Sequence, residues 1–491
     1  MVAPMESIVT QIVAKAVEEI LKNFEKGGLA DICRNTNELE RISAEMILEL
    51  ISNVLEYVDK DFCESKLRKE MQLQVQQKNV ERTVLLPMGE LIFKRIVYKS
   101  KETGEYVYPI DAVIGLSERD RISNELSARL IQKAASQSYE KSSADVADGK
   151  VTRQTVKNKV HEVGELATES KSKHKKVEQI DIFADEDHVH MQDGSNQQVP
   201  LVVISEGKQK ENNRNSLINP IAFQGCGMKN DVFWEGISAF LQEEYDLDSC
   251  RIVLHSDGAK GMKKASEKLM NVVYVMDEFH IIKHLKRLCA GEIGQKHRLA
   301  IQTCIESGNK EGMLAIKARM LEEIKNYEKT ESRIAKERSR IKEEFTYFIN
   351  NWEAIEAREL GHETGSCTEA QVSHILSERL SRNPMGWSNL GLAKMAMIRI
   401  YVKNGGTVTA TDVGKGRNEE FRTDKKGRCR RKNPIPPTEV KIYQEYAQAQ
   451  MTRIFDCKYD WSIFERESLQ RGKVTGTSIL LKAYGQTKAA I

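Results

Sequence analysis

The sequence predicts an α+β, multidomain protein: a mixed-sheet core interrupted by an all-helical insertion, preceded by helical and helix-turn-helix regions. Three observations predict it. Apolar residues recur four apart near the start, strands and helices alternate over 171–280, and residues 281–360 contain helix formers and charge without a strand.

Composition bounds the possibilities first. The chain has 491 residues, 40% of them hydrophobic and 30% charged, which suits a globular protein of several domains. No apolar run approaches the ~18 residues of a spanning helix, so no membrane association is expected. The opening segment MVAPMESIVTQIVAKAVEEILKNFEK has acids among its apolar residues, and it reads as an amphipathic helix rather than a secretory signal. Nine scattered cysteines form no CxxC, which favours reduced thiols in a cytoplasm over disulfides or structural zinc. The net charge of +3 says little alone, because a basic face can be balanced by acidic helices elsewhere.

In the helical region expected over 1–80, Ile8, Ile12, Ala16, Ile20 and Phe24 form one stripe. Residues 81–118 change texture: a Val-, Ile- and Tyr-rich stretch with a turn at Glu102-Thr103-Gly104 reads as a small antiparallel meander. Residues 119–170 return to helix. Two short helices joined around Asp148-Gly149 have helix-turn-helix dimensions, with Thr152 capping the second. Arg153, Gln154, Lys157 and Lys159 are then expected on its exposed face. In the major groove, Arg and Gln read base edges while Lys meets phosphates. An ordinary three-helix module explains the same pattern without DNA.

Residues 171–284 should hold the first part of the core. Three consecutive strands followed by helix, strand, helix and strand is the order of a ribonuclease H-like mixed sheet. Residues 285–365 form the helical insertion, and 366–403 bring the final part of the core. In the last segment, 404–491, a basic arm carries nine Lys or Arg against four acids over 404–433. Lys425, Lys426, Arg428, Arg430, Arg431 and Lys432 are its candidate phosphate contacts.

Three acids stand where a metal site needs them. Asp185 lies in a strand, and Asp257 ends another, followed by a glycine that lets the chain turn. In open α/β sheets, sites form at such carboxyl ends. Asp187 shares a face with Asp185, so alternation cannot separate the two. The third acid comes from SCTEAQVSHILSERLSRNPMGW, which offers Glu369 and Glu378. At ~100° per residue, Val372, Ile375, Leu376 and Leu380 cluster around Glu369, while Glu378 points about 180° away. Helical geometry therefore favours Glu369. Such a carboxylate set suits two Mg²⁺ ions, or Mn²⁺, which activate an attacking oxygen and stabilise a leaving one. His188 and His190 form an HxH pair that would instead suit a small-molecule metal hydrolase, although no third ligand follows with convincing spacing.

At these residues the chain resembles a known family. FADEDHVHMQ, LHSDGA, MDEFHIIKHL and CTEAQVSHILSERLSRNPMGWS are similar to the signature blocks of ISLre-type bacterial insertion-sequence transposases, relatives of the Mutator-like DDE enzymes. The resemblance implies that Asp185, Asp257 and Glu369 are the catalytic, metal-binding triad. The 112 residues between the second and third acids suit a core interrupted by an insertion. It further implies that Asp277 and His280, which match an Asp-x-x-His block, support the site near the scissile phosphate. Relatives also use aromatics near the final acid to stack on bases, a role open to Trp387 beside plain burial in the core. The implied activity is binding of terminal inverted repeats, phosphodiester cleavage and strand transfer. The implied partners are double-stranded DNA and a second copy of the chain, in the cytoplasm on a bacterial nucleoid. The rival readings are a non-enzymatic helix-turn-helix regulator, which leaves the three acids unexplained, and the His/Asp metal hydrolase.

Overall fold

A computed structural model describes residues 3–27, 36–116, 120–166, 173–211, 214–248, 250–258, 269, 271–326, 330–361, 367–383, 385–415 and 437–455. The chain is α+β and divides into two compact units, Met1–Arg129 with Glu419–Ile491, and Leu130–Asn418. None of the helices among these residues is long and apolar enough to cross a membrane.

In the first unit, α1 (Ala3–Gly27) and α2 (Thr36–Glu64) precede a short α3 (Lys66–Glu70). Ile12 and Ala16 of the expected stripe are buried on α1. The meander comprises β1 (Leu73–Leu86), β2 (Gly89–Ser100) and β3 (Tyr106–Val107), paired antiparallel in that order. Its first strand starts inside the segment expected to be helical, because β2 supplies partners for Leu73–Val80 that no local pattern announces. Past it, α4 (Pro109–Val113) is helical where the sequence pointed to a strand. Pro109 at its first turn fixes a φ suited to helix and needs no hydrogen-bond partner for its missing N–H.

Helix α5 (Asn124–Ala134) carries the chain from the first unit into the second, where α6 (Tyr139–Ala147) and α7 (Arg153–His161) follow. Five strands then build the central sheet: β4 (Gln179–His190), β5 (Asn196–Ser205), β8 (Ile221–Gln224), β9 (Arg251–Ser256) and β10 (Val272–Met276). A separate hairpin, β6 (Lys208–Glu211) with β7 (Arg214–Leu217), interrupts the series and was not foreseen. The sheet order is β10-β9-β4-β5-β8. Its first three strands are parallel and its last three antiparallel, so it is a mixed sheet.

Strand alternation gives the sheet two different faces. Ile180, Ile182 and Ala184 of β4, with Ile252 and Leu254 of β9, pack under Phe233, Trp234, Ile237 and Leu241 of α8 (Asn230–Glu244). Burying each such side chain contributes roughly 1.5–3 kcal/mol, and this anchors the sheet. Asp181, Phe183, Asp185 and Asp187 therefore face the opposite way.

After β10 come five helices without a strand among the described residues: α9 (Glu278–Leu288), α10 (Glu292–Glu306), α11 (Lys310–Glu323), α12 (Glu331–Asn350) and α13 (Trp352–Leu360). Their charges cover a true core of Ile301, Met313, Ile341, Phe345, Phe348 and Ile355, which includes Met276 from the edge strand. The chain returns to the sheet through α14 (Thr368–Val372), a π-helical turn over Ser373–Ser377 and α15 (Glu378–Leu380). Helices α16 (Asn389–Lys403) and α17 (Ala410–Lys415) complete this unit. The last described helix, α18 (Pro437–Phe455), belongs to the first unit, where Tyr443 packs edge-on against Phe62.

Candidate active site

The registers of the parallel strands decide where the acids stand. Phe183 on β4 and Val275 on β10 both pair with His255 on β9. Two residues further along the chain lie Asp185, inside β4, and Asp257 and Asp277, one residue past the ends of β9 and β10. They form one row across three neighbouring strands, on the face away from α8 and at the carboxyl end of the sheet.

Each residue of the row is held locally. One oxygen of Asp185 accepts the N–H of Glu186 at 2.8 Å. Asp257 leads into Gly258, whose φ of +86° favours glycine; a Cβ there would come within 2.8 Å of Asn351 Oδ1 and of the Met276 methyl. The hydroxyl of Tyr347 donates to the Asp257 carbonyl at 2.9 Å, so the end of α12 grips the strand end. Asp277 is buried and caps α9, its Oδ1 accepting from the Phe279 N–H at 2.8 Å. His280 lies half-buried one turn on. Its ring is pushed toward the neutral form by burial against the opposing pull of Asp257 and Asp277, and its Nε2 has no hydrogen-bond partner among the described residues.

Electrostatics sets Asp185 apart. Burial raises its carboxyl to about 7; the Glu186 amide opposes the rise, and the charges of Asp257, Glu369 and Asp277 add to it. Glu369 therefore acts on Asp185 from α14, which packs against β4. Its own side chain is exposed at the rim. The apolar face expected beside it does form, since Val372, Ile375, Leu376 and Leu380 are buried. The difference arises because Glu369 sits in the first turn of a five-residue helix, ahead of the π-helical turn that seats those side chains. Glu378 turns elsewhere and pairs with Arg399 at 2.7 Å.

The same strand face separates Asp185 from its neighbours. Asp187 is buried and accepts hydroxyl hydrogen bonds from Ser377 at 3.0 Å and Ser381 at 2.9 Å. Asp181 is buried against His255 Nε2 at 2.9 Å, and although burial alone would raise its carboxyl, that contact holds it low. Of the three, Asp185 is the one crowded by other acids. An all-carboxylate set with surplus negative charge has the chemistry of a hard-cation site. As the side chains stand, no three His, Cys, Asp or Glu among the described residues form a group that could hold a metal ion. His188 and His190 are both exposed, and His190 Nδ1 lies 3.3 Å from Asn196 Oδ1.

The helix pair α6–α7 has the expected local construction. Ser138 and Thr152 cap the two helices, Asp148 adopts a left-handed conformation and Gly149 follows with φ +73°. Arg153 and Gln154 are exposed and Lys157 half-exposed. Lys159 departs from expectation: it is buried and paired with Glu162 at 3.1 Å. Lys425, Lys426, Arg428, Arg430, Arg431 and Lys432 lie outside the described residues. Trp387 is buried, and its ring N–H donates to the Leu380 carbonyl at 2.9 Å.

Sequence reasoning missed two arginines that join these parts. Arg379 donates to the Ala134 carbonyl at 2.8 Å and lies over the rings of Tyr139 and Trp387. Arg399, 1% exposed, donates to the carbonyls of Ala135, His374 and Ile375 and to Glu378. Both tie the segment after Glu369 to the end of α5, directly before the helix pair. A lone arginine within the apolar run MAMIRIY was the available signal.

Residues 31–417 match the family described as "Uncharacterised protein family (UPF0236)". Two similar relatives are UPF0236 proteins of Caldanaerobacter subterraneus subsp. tengcongensis. One is 32% identical over 419 residues, covering 84% of this chain and 87% of the relative. The other is 33% identical over 408 residues, covering 82% and 85%. A UPF0236 protein of Streptococcus gallolyticus is 25% identical over 391 residues, covering 75% and 82%. The family match spans most of this sequence, and the relatives align along most of their own length: the chain belongs to the UPF0236 family.

Proposed function

We propose that this protein is a DNA transposase of a bacterial insertion sequence, akin to the ISLre-type and Mutator-like DDE enzymes. In this reading the mixed sheet is a ribonuclease H-like core interrupted by helices α9 to α13. One observation carries the proposal: Asp185 stands in a row with Asp257 and Asp277, and its carboxyl is crowded by theirs and by Glu369. Acids crowded together in this way, with a carboxyl raised by burial and by its neighbours, are the pattern in which functional sites are enriched. The naming of the relatives adds support. One carries eleven designations and another four, as a gene repeated within one genome would.

In the proposed reaction Asp185, Asp257 and Glu369 would hold two Mg²⁺ or Mn²⁺ ions. Bound there, the ions would activate the attacking oxygen and stabilise the leaving one. The chain itself supplies position. The parallel registers fix Asp185 beside Asp257, Tyr347 and Gly258 fix the strand end, and Asp277 orients α9 so that His280 faces the row. Nε2 of His280 is buried and has no hydrogen-bond partner among the described residues; in this reading it would donate to or accept from the substrate once the DNA is seated. Arg153, Gln154 and Lys157 on α7 would contact the terminal repeat, and the basic arm would add phosphate contacts. Since two ends must be cut and joined, the working form is expected to be at least a dimer, on the nucleoid.

The test uses duplexes taken from the DNA flanking both ends of the reading frame, incubated with the full-length protein and Mg²⁺ or Mn²⁺. Nicking that exposes a 3′-hydroxyl is expected, and Asp185→Asn, Asp257→Asn or Glu369→Gln should abolish it while leaving end binding intact. Full activity in any one of these variants removes that residue from the triad. Binding without metal-dependent nicking by the unmodified protein would point instead to a helix-turn-helix regulator.

A further inference from the structure

Resting on the transposase reading, we infer that the solvent face of α9 is the track for the DNA backbone running away from the scissile phosphate. The helix begins at Asp277, the last member of the acid row, and its sequence, EFHIIKHLKRL, has two faces. Ile281 and Leu288 are buried in the helical layer, and His284 Nδ1 lies 2.6 Å from Glu344 with its ring stacked on Tyr347.

The other face presents Phe279, Ile282, Lys283, Lys286 and Arg287 to solvent. The single acid of α9, Glu278, is engaged by Arg358 at 2.9 Å. Lys286 and Arg287 have no ion pair among the described residues, while the Lys283 ammonium lies 5.8 Å from the centre of the Phe279 ring. Cations in a last turn complement the helix dipole. That role does not explain two large apolar side chains, Phe279 41% and Ile282 42% exposed, on the same face. Cations interleaved with an exposed aromatic are the elements of a nucleic-acid surface, where charge meets phosphate and the ring meets an unstacked base. From its first residue to Lys286 the helix rises roughly 12 Å, which spans three to four nucleotide steps of 3.4 Å. Negative charge is concentrated at the cleavage point and positive charge leads away from it, as a polyanion gripped beside a metal site requires.

The experiment measures binding of the full-length protein to a fluorescein-labelled 30-base-pair DNA duplex across a sodium chloride series. Replacing Lys283, Lys286 and Arg287 together by alanine should reduce the slope of log affinity against log salt by about 2 to 3. The matched change of Arg333, Lys336 and Lys342 on the outer side of α12 should leave the slope alone. Phe279→Ala should weaken binding of a duplex with a single-stranded 3′ tail about 5-fold or more, and a blunt duplex much less. All the changes are on the surface, and circular dichroism confirms that each variant folds. An unchanged slope in the α9 variant, with steep salt dependence in the parent, overturns the track and leaves the transposase reading standing. Tighter binding of an RNA duplex than of the DNA overturns it too. Failure of the parent to bind DNA at any salt removes the transposase reading and the track with it.

Discussion

In the first unit, Asp111 is buried between Arg95 and Arg82, whereas in the second unit Asp185 has three further carboxylates for neighbours. Burial raises both acids. Around Asp111 the two guanidinium groups pull back toward the charged form, but around Asp185 the charges of Asp257, Glu369 and Asp277 push further up. The difference separates two uses of an acid withdrawn from water. A carboxylate paired within the chain fixes architecture, since its desolvation is partly offset by its own partners. An uncompensated one stays costly until a cation arrives from outside.

The widest separation should come from the same change at both acids. Asp185→Asn should lower metal-dependent DNA cleavage by ~10³-fold or more while leaving the chemical denaturation midpoint unchanged or raised. Asp111→Asn should do the reverse: removing its charge strands Arg82 and Arg95, costing about 3–5 kcal/mol in a denaturation curve. If Asp111→Asn were neutral and Asp185→Asn unfolded the protein, the contrast would be gone.

Asp187 sharpens the comparison within a single strand face. Asp187→Ala removes the acceptor for two serine hydroxyls and should cost roughly 1–3 kcal/mol, with nicking retained once the protein is folded. Loss of nicking at full stability would move the first acid from 185 to 187. A smaller effect, about 1 kcal/mol, is expected for Tyr347→Phe, which removes the hydroxyl bonded to the Asp257 carbonyl.

A separate contrast is one of pH. Asp59 in the first unit is raised to about 7, chiefly by burial, with the Ile96 amide opposing. Its folded-state value lies above its unfolded one, so the folded protein binds the extra proton. Stability from this group is therefore greatest at low pH and falls as pH rises from about 4 through 7. Asp59→Asn should flatten that part of the profile, read by denaturation at pH 5 and pH 8. An unaltered profile would assign the pH dependence to other groups.

Much of this was legible in the sequence, and unevenly so. The caps at Thr152 and Ser138 and the left-handed Asp148 obey rules acting within four residues, so the helix pair reads directly from the chain. Asp257 was visible as an acid ending a strand before glycine. Lys159 was not readable as buried, because a lysine three residues from a glutamate is the usual pattern of a wet helix face. The choice of Asp185 over Asp187 lay beyond strand alternation. The hydroxyls of Ser377 and Ser381 that occupy Asp187 arrive from 190 and 194 residues away. The same holds for the partners of Arg379 and Arg399, and for α18 closing the first unit from the far end of the chain.

By itself, the sequence determined most of the kinds of element and their order, α4 and the β6–β7 hairpin excepted: helices, the antiparallel meander, the mixed-sheet strands and the helical stretch between Asp257 and Glu369. It could do so because hydrophobic period and capping are local. Tertiary structure alone decided which acids share a row and which acid is left uncompensated. Register between strands and burial are set by contacts across tens to hundreds of residues, and the electrostatic cost of a charge depends on what those contacts place beside it.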